Sequence, residues 1–504
     1  MQQSLSRSVI IWIVAGLCQG VSAVLSYAGV ISPDLQRALG RRGTHADTAV
    51  IVRFSDPLDL APFAVTDRRA RDNRLLLALK ARAARNRSGV EALLATPGAS
   101  HFKDLWMVNA MAVTVPAVAI GQMVNHPDVA RIDLDSFVQG GRSQRTPPSR
   151  NGRLEDVPDA LPQETALPPA MFRAKDSVPG WNLAALHVPE VWAFGATGKG
   201  MVVATMDTGA DLIHPDLRKK WRGGTNSWFD PHGEEALPYD ALGHGTQALG
   251  VIVGGSAIGI APDAQWIAVR LYNSNGRTSM SDIHLAFQWL LDPDGDPATL
   301  DTPDVVNASW ALAGRGAGAC IMEFSEDIHA LKSAGIAVVF AAGNEGPASG
   351  TSNSPGNNPG ALSVGAIDSD MKMARQTSRG PSACDGMVFP RLWAPGVNVR
   401  TTDLSHGGMP SYTNASGSSL AAPHVTGVLA LLASAYPAAT VAELEAAILR
   451  ATQPLDEAQA GPRGSHGRVD ALAAFNVLRD AKNAALQSPA TLGVGRQETR
   501  EYKP

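Results

Sequence analysis

The chain has 504 residues, 18 % of them charged, and a formal net charge of −4. That length allows more than one domain and a sizeable core. The near-balanced charge, with no long basic run, argues against nucleic acid or an anionic membrane surface as the main partner.

In chain order, residues 1–8 are polar with one cation, Arg7, and precede an apolar stretch broken by Gln19 and the small-residue pattern Val21-Ser22-Ala23. Those features read as a signal peptide, placed at 1–28, and imply a secreted protein, extracellular or periplasmic. A retained anchor is the alternative, for which the stretch is short.

Residues 45–135 carry the pattern βαββαβ: strands at 49–54, 105–108, 112–115 and 129–134, with helices at 72–94 and 117–124. This predicts a small α+β, ferredoxin-like domain. Residues 136–180, rich in Gly, Arg, Pro, Ser and Glu without a period of 2 or 3.6, read as a linker. From 181 to 480 near-continuous apolar strands (201–206, 266–271, 304–310, 336–342, 361–367) alternate with helices (after His244, 280–291, 324–333). That alternation predicts an α/β three-layer domain with a mostly parallel sheet covered on both faces. Thr440 and Glu443 form a capping box that opens a helix to about 451. Residues 481–504 read as a polar tail.

Four residues in this second domain suggest chemistry. Ser419 follows a small-residue turn and opens an apolar helix, where a hydroxyl meets unpaired N–H groups and the positive end of the dipole. Asp207 ends the strand 202–206, at the edge where open α/β sheets place ligands. His244, between two glycines, has an imidazole free to enter a cleft. Asn344 ends another strand. Taken singly, each also fits a bland role: a cap, a loop histidine, a turn. Together they give the order Asp, His, Ser, one of three known serine-hydrolase orders.

VVATMDTGADLIHPDL (202–217), GHGTQALG (243–250), VVFAAGNEG (338–346), WAPGVNV (393–399) and GSSLAAPHVTG (417–427) make the chain resemble the subtilisin-like serine proteases. PDVVNASW (303–310) and the Trp-rich start at 181–200 look like the bacillopeptidase F-like branch, and HPDVARIDLD (126–135) resembles that family's inhibitory propeptide. The resemblance implies an endopeptidase made as a zymogen. Asp207, His244 and Ser419 would form the triad, and Asn344 with the Ser419 N–H the oxyanion hole. Ser309-Trp310-Ala311 and Gly276-Arg277-Thr278 would be edge segments binding protein or peptide substrates as extended strands. The propeptide would be an intramolecular inhibitor, and catalysis would need no cofactor or metal. A peptide ligase using the same triad, or a silent binding relative, are the alternatives. Gln247, Ser418, Leu420 and Ala422 depart from the family's usual residues, and Trp310 and Arg277 suggest a partly filled or acid-seeking pocket.

Of three cysteines, Cys18 falls in the signal segment. Cys320 and Cys384 are expected to bridge, two buried thiols being the alternative. His214 and His424 read as structural. Asp292, Asp294 and Asp296 read as a solvated acidic turn, although relatives bind structural calcium. Sequons at Asn86, Asn307 and Asn414 carry no assignment.

Overall fold

The computed structural model describes residues 29–42, 47–64, 67, 73–94, 98–140, 179–255, 257–312, 317–455 and 466–487. The expected signal peptide, most of the linker and all but the first residues of the expected tail lie outside them.

The first body contains β1 (Val30–Ile31), α1 (Pro33–Arg42), β2 (Asp47–Phe54), α2 (Arg74–Leu94), β3 (Ser100–Leu105), β4 (Ala110–Pro116), α3 (Ala117–Met123) and β5 (Val129–Leu134). Its sheet runs β1-β5-β2-β4-β3, with the ferredoxin-like order across β5-β2-β4-β3. Strand β1 and helix α1 extend the unit ahead of residue 45, through the parallel β1–β5 pair and the packing of Ile31 and Leu35. The strand period of two sorts β2: Val50 and Val52 face α1 and α3, and Ile51 faces the second body.

β6 (Phe137–Gln139) then leads to the second body. There α4 (Trp181–Ala185), α5 (Val188–Ala193), β7 (Val202–Asp207), α6 (Pro215–Arg218), β8 (Trp228–Phe229), α7 (His244–Val253), β9 (Gln265–Arg270), β10 (Arg277–Ser279) and α8 (Met280–Leu291) follow in turn. β11 (Val305–Ala308), α9 (Ser325–Ser333), β12 (Ala337–Ala341), β13 (Leu362–Ile367), β14 (Leu392–Pro395), the hairpin β15 (Val399–His406) and β16 (Met409–Ala415), α10 (Ser418–Ala435), α11 (Val441–Arg450) and α12 (Ala471–Gln487) complete it. The main sheet has seven strands in the order β14-β13-β12-β11-β7-β9-β8, every neighbouring pair parallel.

Both faces of such a sheet are covered, so its strands are apolar in succession. Val203, Val305 and Val339 pack with α7 and α10 on one side. Ala204, Val306 and Val338 pack with α8 and α9 on the other. Helix α10 is long and apolar enough to cross a membrane, yet it is mostly buried here as the central core helix.

The two bodies meet at α8 and α9, where apolar contacts are flanked by charge. Lys103 Nζ lies 2.7 Å from Asp282, and Lys80 pairs with Asp292. Arg53 reaches Glu323 at 2.6 Å, and His284 sits between Glu323 at 3.1 Å and Asp327 at 2.9 Å. Burial opposes a charge on His284, but Asp327 and Glu323 outweigh it and lift its pKa to about 9. Burial likewise disfavours the Glu323 carboxylate, yet Arg53 and His284 bring it down to about 2.

Candidate active site

Asp207 is the last residue of β7 and is 2 % exposed. Its Oδ1 accepts from the Thr208 N–H at 2.7 Å and from His244 Nδ1 at 2.7 Å. The imidazole is therefore held by its Nδ1 side. Burial opposes its protonation, and the Asp207 carboxylate, with Asp240 behind it, overcomes this and raises its pKa. Helix α7 is docked here by Asp240, whose carboxylate accepts from the N–H groups of Leu242, Gly243 and Thr246, and by Thr208 Oγ1, which accepts from Gly245 N–H. A side chain at Gly245 would begin 2.1 Å from the Gly209 carbonyl oxygen, so only glycine allows the helix to sit this close to the strand end.

Ser419 lies in the first turn of α10, 9 % exposed. Gly417 before it has φ +150°, a conformation reserved for glycine. The space where a Gly417 Cβ would stand is bordered by Ser419 Oγ at 3.0 Å and Asn344 Nδ2 at 3.5 Å. Asn344 is oriented by its other atom: Oδ1 accepts from the Ser418 N–H at 2.9 Å and the Ser418 hydroxyl at 3.1 Å. Its amide N–H₂ thus faces the same small hollow as the hydroxyl. Helices α7 and α10 pack against each other, with the N-terminus of α7, Asp207 and Asn344 all at the carboxyl-end edge of the sheet. A hydroxyl and an amide donor around one hollow, with an imidazole held by a carboxylate at the same edge of the sheet, are the groups that acyl transfer needs.

Below the hydroxyl, Pro423 interrupts the helical ladder and leaves the Ser419 carbonyl without its i+4 donor. The Ser309 hydroxyl fills that role, donating to Ser419 O at 2.8 Å. Ser309 Oγ in turn accepts from Asn307 Nδ2 at 2.8 Å, and Asn307 Oδ1 accepts from Thr426 Oγ1 at 3.2 Å.

The expected substrate-binding residues divide. Arg277 and Thr278 lie in β10 beside Gly276, and this strand is already paired, antiparallel, with β6 of the same chain. Ser309 turns its side chain under α10, as described. Trp310 is 5 % exposed and enclosed by Phe287, Phe324 and Phe340, so its ring is part of the core rather than a filling of an open pocket. Ala311 follows it outside any strand. The Arg277 guanidinium lies over the Phe137 ring at 4.6 Å. Asp240 escaped the sequence reading, although it stands in the Asx-turn pattern Asp-Ala-Leu-Gly just before His244. Asn307 and Gly417 enter that reading only as a sequon and as the start of a motif, without these roles.

Cys320 and Cys384 are bonded. His214 caps α6 through Asp216 N–H, and His424 is fully buried, its Nδ1 on the Leu420 carbonyl. Asp294 and Asp296 form exposed Asx turns. Asp292 differs from the expected solvated acid: it is buried and pairs with Lys80 because the first body covers it. Among the described residues no group of three or more His, Cys, Asp or Glu side chains could hold a metal ion.

A sequence profile of the subtilase family matches residues 198–479. The chain is 32 % identical over 416 residues to bacillopeptidase F of Bacillus subtilis, covering 77 % of this chain and only 27 % of that much longer protein. It is 30 % identical over 359 residues to subtilisin E of the same organism, covering 70 % of this chain and 77 % of the other. The major intracellular serine protease of Bacillus subtilis matches at 30 % over 55 % of this chain and 84 % of its own length. With this fold, these matches show that the chain belongs to the subtilase family and is a subtilisin-like serine endopeptidase.

Proposed function

We propose that this chain is a secreted serine endopeptidase made as a zymogen, with Ser419 as nucleophile, His244 as general base and acid, and Asp207 as the group that orients the imidazole. The observations that carry this reading are the 2.7 Å contact of His244 Nδ1 with Asp207 Oδ1 and the hollow at Gly417 bordered by Ser419 Oγ and Asn344 Nδ2, on helices α7 and α10 that pack against each other. Ser419 attacks the scissile carbonyl while His244 takes its proton. The Asn344 amide and the Ser419 N–H stabilise the oxyanion. His244 then protonates the leaving amine, and water hydrolyses the acyl-enzyme by the same route. No step calls on a cofactor.

The first body acts as an inhibitory propeptide, because β6 takes the strand place on β10 that an extended substrate would take. Cutting within the linker beyond β6 (Phe137–Gln139), followed by release of the residues before the cut, frees that place. A fluorophosphonate probe tests the chemistry: it should label the processed chain and leave Ser419→Ala unlabelled. Equal labelling of both would refute the assignment. Persistence of the uncut chain in Ser419→Ala, with cutting in wild type, is the expected sign of self-processing.

A further inference from the structure

The chain's own segment on β10 shows what the groove admits. β6 pairs Val138 with Thr278 and Gln139 with Arg277, and the N–H of Gly140, the next residue, donates to the Gly276 carbonyl at 2.8 Å. Beneath Gly140 lies the ring of Tyr272. A Cβ on Gly140 would stand 3.0 to 3.2 Å from three of its ring carbons, Cδ1, Cε1 and Cγ. That is inside ordinary van der Waals separation, so the ring or the bound backbone would have to move.

Neither is free to do so easily. Tyr272 is 3 % exposed and belongs to the apolar core between the sheet and α8. It follows Leu271, whose N–H donates to the Asp207 carbonyl at 2.6 Å, so its backbone is tied to the strand end that carries the acid. The carbonyl of Gly276 is fixed as well. Asn273 Oδ1 accepts from the N–H groups of Asn275 and Arg277, and Gly276 N–H donates to Asn273 O at 2.8 Å. Asn273 adjoins Tyr272, so the hydrogen-bond acceptor and the ring are parts of one braced loop. A bound residue with a side chain cannot lift off the ring without stretching its bond to Gly276.

We propose that Tyr272 makes the subsite beside Asp207 selective for glycine, so that the enzyme favours polypeptides with glycine at one fixed position relative to the bond cut. This inference rests on the endopeptidase reading above. Ala at that position should be cut roughly tenfold less efficiently than Gly, the order expected for forcing one extra methyl into a filled space.

The test is digestion of a denatured, unrelated protein by the processed enzyme, with the ends of all products identified by mass spectrometry. One position near the cut should be enriched in glycine about tenfold over the substrate's composition. Tyr272→Phe should keep the enrichment, since the ring is unchanged, and Tyr272→Ala should lose it while still cutting. Even glycine use at every position, or an enrichment that survives in Tyr272→Ala, would overturn the proposal. Should Tyr272→Ala fail to fold, Tyr272→Leu offers a non-aromatic floor for the same comparison. Absence of cutting by wild type, or equal cutting by Ser419→Ala, would instead count against the endopeptidase reading.

Discussion

The hydroxyl of Ser309 donates to the main-chain carbonyl of Ser419 at 2.8 Å, in the place of the N–H that Pro423 lacks. An unmet buried carbonyl costs about 1–3 kcal/mol, and here the cost would fall on the turn that aims the nucleophile. Ser309→Ala is expected to slow fluorophosphonate labelling and kcat by about tenfold, with KM for short peptides nearly unchanged. Ser309→Thr, which keeps the hydroxyl, should recover most of the rate. A loss confined to KM would show that Ser309 serves substrate binding instead.

His244 is held above its ordinary pKa of 6.5 by Asp207 and Asp240 against the effect of burial. The base must be neutral, so labelling of Ser419 should rise with pH through an inflection above 6.5. Asp207→Asn removes the charge that raises it. The inflection should move to lower pH while the rate falls on the order of 10⁴-fold through loss of the required tautomer. An inflection unmoved by the substitution would separate it from His244.

The charged contact between the two bodies predicts alkaline loosening. His284 titrates near 9 when folded against 6.5 free, so its contribution is complete below 6.5 and is lost as pH rises through 9. Glu323, near 2 when folded against 4.5 free, contributes above 4.5 and loses its contribution only as pH falls through 2. The groups facing this pair are Arg53, Asp133, Glu326 and Asp327. The full-length Ser419→Ala chain should therefore lose up to about 3 kcal/mol between pH 6.5 and 9, and His284→Gln should flatten that fall. Thermal unfolding across this range reads it directly. Arg53→Met, which takes Arg53 away from Glu323 and Asp133 and leaves His284 as the cation between Glu323 and Asp327, should cost about 3 kcal/mol at neutral pH.

Cys320 and Cys384 are 64 residues apart in sequence. In the chain-entropy account, closing a loop of that size stabilises the fold by about 4 kcal/mol. Reductant, or Cys384→Ser, should lower the melting temperature of the Ser419→Ala chain accordingly. No response to reductant would show that the bridge is absent in solution.

Strands whose apolar residues run without interruption, such as Trp266 to Val269 and Val338 to Ala341, could be located from sequence because burial on both faces demands that composition. Asp207 and Asn344 could be placed at strand ends, and His244 and Ser419 at helix starts, because glycines mark those boundaries. The hairpin β15–β16 was not visible in the same way. Its buried positions Thr401 and Thr402 meet their neighbours through hydroxyls on the Gln247 and Thr246 carbonyls, so no apolar period marks them. Trp310 was misread for a related reason: an aromatic beside the groove in sequence gives no sign of which way its ring turns. Asp292 carried no hint of burial because Lys80, its partner, comes from the other body.

Asn307 and Ser309 are at once the first and third residues of an Asn-x-Ser acceptor site and the two polar residues beneath Ser419. Asn307 is wholly enclosed, so a sugar could be attached only while the chain is still unfolded, and it would then have no room inside. A host that glycosylates nascent chains should thus yield misassembled protein from this sequence, and recoding the acceptor would disturb the very residues that hold Ser419 in place. Production in a host without that modification avoids the conflict.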